Sequence, residues 1–392
     1  MRSTKSYKIA GAAALALTLG FSPLSDILPG SAPTASAAAV QQEKNKAWDL
    51  ELKHAPFRKN GVVFVPVKEL SEYLDLQVTT STDKKFTYIN SPGQSVRIAP
   101  GQSKALNAKG TPIAMGAAPV IKGGVTYVPA VLLAKSFGMP VTWKGKSILS
   151  VQASPKQYAS TAVGNTLFWL SKDTGVLSIG QAGSLPKPAG TISVKDLDWL
   201  SIKARKVSAS SFVVDVENYS GEPHVHESNG RALIHGGKIV KQGVTSYFNT
   251  AGRKTIPDVN GFKGNVAIMN GSTLQLVHPT GKVAKTYDLA AITGVQDDDF
   301  AVEAIESDFL LVRPYKTATL FIIHPESKKS VLIYKNLLDE EARKMIEEYP
   351  SNELGFVGDG LTWIGYKDKT LTFKWDYDML NQHKTLSYKL PF

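Results

Sequence analysis

Two stretches of this chain repeat one another. GVVFVPVKELSEYL begins at Gly61 and GVTYVPAVLLAKSF begins at Gly124, an offset of 63 residues. Such a repeat constrains the fold first, because each copy must be one supersecondary unit. At the same offset Ala55-Pro56 matches Ala118-Pro119, and Phe64-Val65-Pro66 matches Tyr127-Val128-Pro129. Leu70 matches Leu133, and Val78-Thr79 matches Val141-Thr142. Each copy reads as a glycine turn, then a β-branched and aromatic strand. Pro66 or Pro129 follows where a helix opens, a position at which the missing N–H costs nothing. Val67, Leu70 and Leu74, like Ala130, Leu133 and Phe137, fall at i, i+3 and i+7 and put one apolar stripe on each helix. Gly138 is placed to end the second helix, and Asp75 stands in its place in the first. A further strand is expected around Val78 and around Val141–Trp143.

The V-x-V-P-x-x-x-L-type junctions at Phe64–Leu70 and Tyr127–Leu133, with the tail VTWKGKSILSV, resemble the copper amine oxidase N-terminal-like domain of secreted Gram-positive proteins. The resemblance covers roughly residues 50–153, and the duplicated module is read over 51–153. It implies a small antiparallel sheet wrapped on a helix, serving as a stalk or accessory module. In that family the module does not hold the copper, so the resemblance implies no cofactor and no oxidase activity. The first copy departs from the family pattern at Asp75, where Gly is usual, and at Thr80, where Trp is usual.

The N-terminus reads as a secretion signal. Arg2, Lys5 and Lys8 precede the apolar run Ile9–Phe21, and Ala35-Ser36-Ala37 is a small-residue cleavage site. The expectation is therefore a signal peptide over 1–37, a polar lead-in over 38–50, and a mature protein that is extracellular or bound to the cell wall. No second apolar run reaches the roughly 20 residues a membrane span needs. Cysteine is absent. That excludes disulfides, a thiol nucleophile and a cysteine zinc site. Net charge is +11. Removing residues 1–37 takes away three basic residues and Asp26 and leaves +9. A basic exported protein is attracted to anionic surfaces. The expected partners are an anionic wall polymer or polysaccharide, or a protein. Nucleic acid is not expected, because no recognition motif or basic helix is present.

Residues 154–163 read as a boundary. Beyond them, from 164 to 392, strand-like runs alternate with Gly, Asn and Asp turns. One unit is clear: Val266–Met269, the turn Asn270-Gly271, Thr273–Val277, the turn Pro279-Thr280-Gly281, then Val283–Leu289. Weaker units begin at the turns Asn165-Thr166, Asn229-Gly230, Ser307-Asp308 and Asp359-Gly360. Five such units point to radially repeated small sheets, a five-bladed β-propeller-like domain, with a β-sandwich or two stacked small β-domains as the alternative. A helix near 337–349 interrupts them, with Leu338, Ala342, Met345, Ile346 and Tyr349 on one face. The fold class read from sequence is thus an α+β duplicated module followed by a mainly-β domain.

Three groups of residues could carry chemistry. His224 and His226 alternate on one strand face, and His235 on a neighbouring strand would complete a three-imidazole metal site. Trp363, Tyr366, Phe373, Trp375 and Tyr377 crowd one stretch, and the last three share a face on which a sugar ring would stack; a buried sheet face explains the same alternation. Scattered carboxylates, among them Glu217, Glu222, Asp359 and Asp376, are the raw material of a glycosidase pair. The run Asp297-Asp298-Asp299 lacks calcium-loop spacing and reads as a solvated loop. No G-x-S-x-G, P-loop or H-E-x-x-H is present. The expected function is a secreted, non-enzymatic envelope protein that binds wall polymer, glycan or protein. The alternatives are a polysaccharide hydrolase or lyase and a metal-binding protein.

Overall fold

The computed structural model describes residues 47–392, apart from 155, 222–225, 249–258, 352 and 354–355. The expected secretion signal, residues 38–46 of the expected lead-in, Glu222 and His224 lie outside the described residues.

The repeat folds as two interlocked copies. The first holds β1 (Ala47–Glu51), β2 (Phe57–Lys59), β3 (Val62–Pro66), the one-turn helix α1 (Val67–Leu70), β4 (Gln77–Thr80) and β5 (Thr87–Asn90). A hairpin follows, β6 (Ser95–Ile98) and β7 (Lys104–Asn107). The second copy holds β8 (Pro112–Ala114), β9 (Val120–Lys122), β10 (Val125–Pro129), α2 (Val131–Phe137), β11 (Val141–Gly145) and β12 (Ile148–Gln152). The central sheet runs β2-β3-β10-β9. Val65 pairs with Val128, its own counterpart in the repeat, so a local two-fold axis passes through that pair. The same symmetry exchanges the first strands. β1 joins the β12-β11 pair of the second copy, and β8 joins the sheet of the first, in the order β4-β5-β6-β7-β8. The β6–β7 hairpin is the asymmetric part, inserted between β5 and β8. Residues 47–50 therefore belong to the module and not to the lead-in, because Leu50 points into its core and Trp48 packs against it. Gly138 caps α2 at a φ of 64°, as the sequence predicts.

The remainder is mostly strand, in five antiparallel sheets of sequence-consecutive strands. Sheet I contains β13 (Tyr158–Val163), β14 (Thr166–Ser171), β15 (Val176–Gln181) and β16 (Lys187–Thr191). Sheet II contains β17 (Trp199–Lys206), β18 (Ser211–Ser220), β19 (His226–His235) and β20 (Lys238–Phe248). Sheet III contains β21 (Gly261–Phe262), β22 (Asn265–Asn270), β23 (Thr273–Val277) and β24 (Val283–Asp288), and is followed by α3 (Leu289–Thr293). Sheet IV contains β25 (Phe300–Ile305), β26 (Leu310–Pro314), β27 (Phe321–Ile323) and β28 (Ser330–Leu332), followed by α4 (Ile333–Leu337) and α5 (Glu340–Glu348). Sheet V contains β29 (Leu361–Lys367), β30 (Thr370–Tyr377) and β31 (Gln382–Lys389).

Each sheet packs on the next through alternate side chains of its strands. Val214 and Val216 of β18 join Phe168 and Leu170 of sheet I, whereas Val213 joins Val266 and Ile268 of sheet III. Leu310 and Val312 of β26 join sheet III residues, whereas Leu311 joins Phe373 and Trp375 of sheet V. β30 alternates strictly between buried and less buried positions, so the other face of sheet V is left to solvent. The expected turn at Asn229-Gly230 lies inside β19. Gly230 is there because the Val194 side chain comes within 2.6 Å of where a Cβ would sit.

The module is docked on sheet I. Asp75 accepts backbone N–H bonds from Gln157 at 2.8 Å and Tyr158 at 3.0 Å. Gln77 Nε2 donates to the Phe168 carbonyl at 3.0 Å, and Asn90 Oδ1 accepts from Gly183 N at 3.0 Å. The residue that breaks the repeat, Asp75, thus holds the first strand of the next domain. Among the described residues no helix is long and apolar enough to cross a membrane.

Candidate functional site

The strands of sheet II run 8–11 residues and those of sheet III run 2–6. Part of the sheet II face therefore extends past its neighbour. Register defines that face row by row. Lys203, Asp215, Arg231 and Gly243 form the row at which sheet III docks. Here Arg231 Nε meets Asp215 Oδ1 at 2.6 Å, and its Nη1 donates to the carbonyls of Val259 and Ala267 at 2.7 and 3.0 Å. The next row is Ser201, Glu217, Asn229 and Thr245, and the last is Trp199, Tyr219, Glu227 and Tyr247.

This overhang combines open aromatic rings with carboxylates. Trp199 is 73% exposed and its cross-strand partner Tyr219 is 38% exposed. Lys203 Nζ donates to Glu217 Oε1 at 2.7 Å, and Ser201 Oγ donates to Glu217 Oε2 at 3.2 Å. Asn229 Nδ2 donates to Glu227 Oε1 at 2.9 Å, while Asn229 Oδ1 is buried with no hydrogen-bond partner among the described residues. Burial first, then the Glu227 and Glu217 charges, raises the Tyr219 hydroxyl above its ordinary value and keeps it a donor. Tyr247 closes the row against sheet IV, its ring stacked on Tyr315 with centroids 3.8 Å apart. Ser246 N donates to Asp299 Oδ2 at 2.6 Å, and Lys316 N donates to Asp298 Oδ2 at 2.9 Å. Asp299 thus ties sheet II to sheet IV and Asp298 closes an end of sheet IV, in place of a solvated loop.

The residues singled out from sequence lie elsewhere. Phe373, Trp375 and Tyr377 are core side chains between sheets V and IV, so their shared face is not open to a sugar. Trp363 and Tyr366 are half-buried on the same side, both edge-on to Phe309. Tyr366 donates its hydroxyl to Asp308 at 2.8 Å. The metal triad does not assemble. His226 opens β19 and His235 closes it, about 30 Å apart at about 3.3 Å per residue. His235 Nδ1 instead lies 2.9 Å from Ser211 Oγ. Among the described residues no group of three or more His, Asp or Glu side chains is placed to hold a metal ion.

Two carboxylates do share a buried site, at the joint of sheets IV and V. Arg313 Nε meets Glu303 Oε1 and its Nη1 meets Asp359 Oδ1, at 2.5 and 2.7 Å. Its remaining N–H groups reach the carbonyls of Ala318 and Leu361 at 2.5 and 2.8 Å. Asp359 also accepts from Leu320 N at 2.6 Å and Leu361 N at 3.1 Å. The carboxylates keep Arg313 protonated despite burial. This cluster is a structural pin and not an acid–base pair, because its acceptors are taken up by the guanidinium and the backbone.

Trp199 and Tyr219 were missed in sequence, yet a signal exists. In DWLSIKAR the apolar phase is Leu200, Ile202 and Ala204, and Trp199 sits on the opposite phase with Ser201 and Lys203. A tryptophan on the polar phase of a strand is an exposed tryptophan.

No curated protein matches the chain. Among solved structures, dihydro-heme d1 dehydrogenase NirN in complex with DHE is 11% identical with a TM-score of 0.19; the match covers 65% of each chain. Apo AztD from Citrobacter koseri is 9% identical with a TM-score of 0.21, over 65% of this chain and 84% of that one. The WD40 domain of SCAP from fission yeast is 10% identical with a TM-score of 0.24, over 87% of this chain and 69% of that one. Likenesses this slight say nothing of a shared activity. Residues 44–150 match the model of the copper amine oxidase N-terminal domain family, and that part of the chain belongs to it.

Proposed function

We propose that this chain is a secreted, non-enzymatic protein of the cell envelope whose β domain, a propeller-like arc of five sheets, binds a glycan at the Trp199–Tyr219 overhang. The observation that carries the reading is an indole 73% exposed beside a half-exposed phenol on paired strands, with Glu217, Glu227, Ser201 and Asn229 along the same face. Sugar C–H faces stack on such rings, and sugar hydroxyls donate to such carboxylates. Glu217 and Glu227 disfavour an acidic sugar and favour a neutral or amino-sugar chain. Binding is preferred to hydrolysis because the two buried carboxylates, Glu303 and Asp359, are committed to Arg313. Face-to-face stacking of sheets in chain order supports the propeller-like reading, with sheet V as an open end.

Titration calorimetry against chitohexaose and cellohexaose tests the proposal. The expected result is binding of one of them that weakens at least about tenfold in Trp199→Ala and in Tyr219→Ala, the loss of about 1.4 kcal/mol or more. Unchanged affinity in both variants would remove the site, and release of shorter sugars would move the protein to the hydrolase alternative.

A further inference from the structure

The positive charge of the chain is unevenly placed. Residues 47–153 hold thirteen Lys and Arg against six Asp and Glu, whereas residues 154–392 hold twenty-seven against twenty-six. From Lys84 to Lys172 there are eleven Lys and Arg and no Asp or Glu. The module carries nearly all of the excess.

The fold gathers five of these cations at one end of the β4–β8 sheet. Lys84 and Lys85 occupy the turn between β4 and β5, both exposed. Arg97 of β6 lies opposite Tyr88, and its guanidinium sits 4.5 Å above the Phe86 ring. Arg97 pairs with Leu106, and Lys104, two residues earlier on β7, points to the same face. Lys104 in turn lies opposite Ala114 of β8, whose carbonyl accepts from Lys135 Nζ of α2 at 3.0 Å. Neighbouring strands are about 4.8 Å apart, so the cations form a band across the sheet. Asp83 is the acid at this end and is held by Lys85 at 3.5 Å. Among the described residues Lys84, Arg97, Lys104 and Lys135 have no ion-pair partner. Two of the five, Arg97 and Lys104, belong to the inserted β6–β7 hairpin.

We propose that this band is a docking surface for a linear polyanion, a phosphodiester-linked polyol chain of the envelope. Four of the five groups are lysines. An ammonium binds a phosphate as a point charge, and the fork that reads carboxylates and phosphates alike is supplied here by Arg97 alone, whose guanidinium lies over the Phe86 ring. Of the two aromatic rings beside the cations, Phe86 has a face taken by Arg97 and Tyr88 lies against Gly183, so both offer poor purchase to a stacking base, on which single-stranded nucleic-acid binding relies. The surface is separate from the Trp199 overhang, where carboxylates predominate, and does not depend on it.

The test is binding of the full mature chain to synthetic 1,3-linked poly(glycerol phosphate) at low and high salt. Lys84, Lys85, Lys104 and Lys135 are replaced together by Gln; the control replaces Lys328, Lys329, Lys367 and Lys369, exposed lysines of the β domain, in the same way. The expected result is salt-sensitive binding that weakens at least about tenfold in the first variant and less than about threefold in the control. Melting temperatures of both variants check the fold, and Lys104→Gln with Lys135→Gln alone serves if the fourfold variant is unstable. Failure of the parent to bind, equal weakening in both variants, or no weakening in either would overturn the proposal. So would binding of polygalacturonate or oligo(dT) as tight as that of poly(glycerol phosphate).

Discussion

Arg313 holds sheet IV to sheet V with a single guanidinium, and Arg231 does the same for sheets II and III. In both, Nε meets an acid of its own sheet while a terminal nitrogen reaches a carbonyl of the next, Leu361 for Arg313 and Ala267 for Arg231. Strong charges are tolerated in these joints because each has partners on every side. Removing one member leaves buried groups short of a partner. Asp359→Ala takes one of two carboxylates from Arg313 and leaves the Leu320 and Leu361 N–H groups without their acceptor, and should destabilise the β domain by about 3–5 kcal/mol. Urea unfolding of the variant measures this. A loss below about 1 kcal/mol would mean that water enters the joint and the pin is not closed.

Helix α5 was legible before the fold was known, and its attachment was not. Ala342 and Ile346 are buried as the stripe predicts, and Asp339 caps the helix by accepting from Ala342 N at 2.9 Å. Lys344 lies 3.9 Å from Glu348, in place of the Glu340 pairing that its spacing also allows. The clip to the domain is Tyr334 of α4, whose hydroxyl donates to Glu347 at 3.1 Å. Burial and the Glu347 charge push this phenol up to about 12. A raised value means that the neutral form favours folding. The contribution is complete below the unfolded value of about 10 and is lost as pH rises through about 12. Stability measured from pH 9 to 12 should fall more steeply in the parent than in Tyr334→Phe; identical curves would show that the clip does not titrate with folding. Sheet III was read correctly because Asn270-Gly271 sits between two clean apolar runs. Asn229-Gly230 misled because the same dipeptide serves a close approach inside a strand. Alternation told that Phe373, Trp375 and Tyr377 share a face, but it cannot say whether that face meets solvent or another sheet.

At the scale of the molecule, the module and sheet I are joined by polar groups reading backbone. Asp75 holds two amides, Gln77 a carbonyl and Asn90 a third amide. Burial raises the Asp75 carboxyl above its ordinary value in spite of those bonds. We expect one calorimetric transition for the parent. Asp75→Ala should cost about 1–3 kcal/mol and speed hydrogen exchange at Gln157 and Tyr158. Two separate transitions in the parent would show that the joint is not rigid. The pairing of Val65 with Val128 has a consequence for how such a joint becomes possible. Two protomers related by a true dyad must carry every substitution twice, so whatever one offers to a neighbour its twin offers on the opposite side. Covalent fusion of the halves lifts that obligation. One half is then free to acquire an aspartate that grips a downstream domain, and one flank to acquire an extra hairpin that brings Arg97 and Lys104, while the shared centre stays as it was.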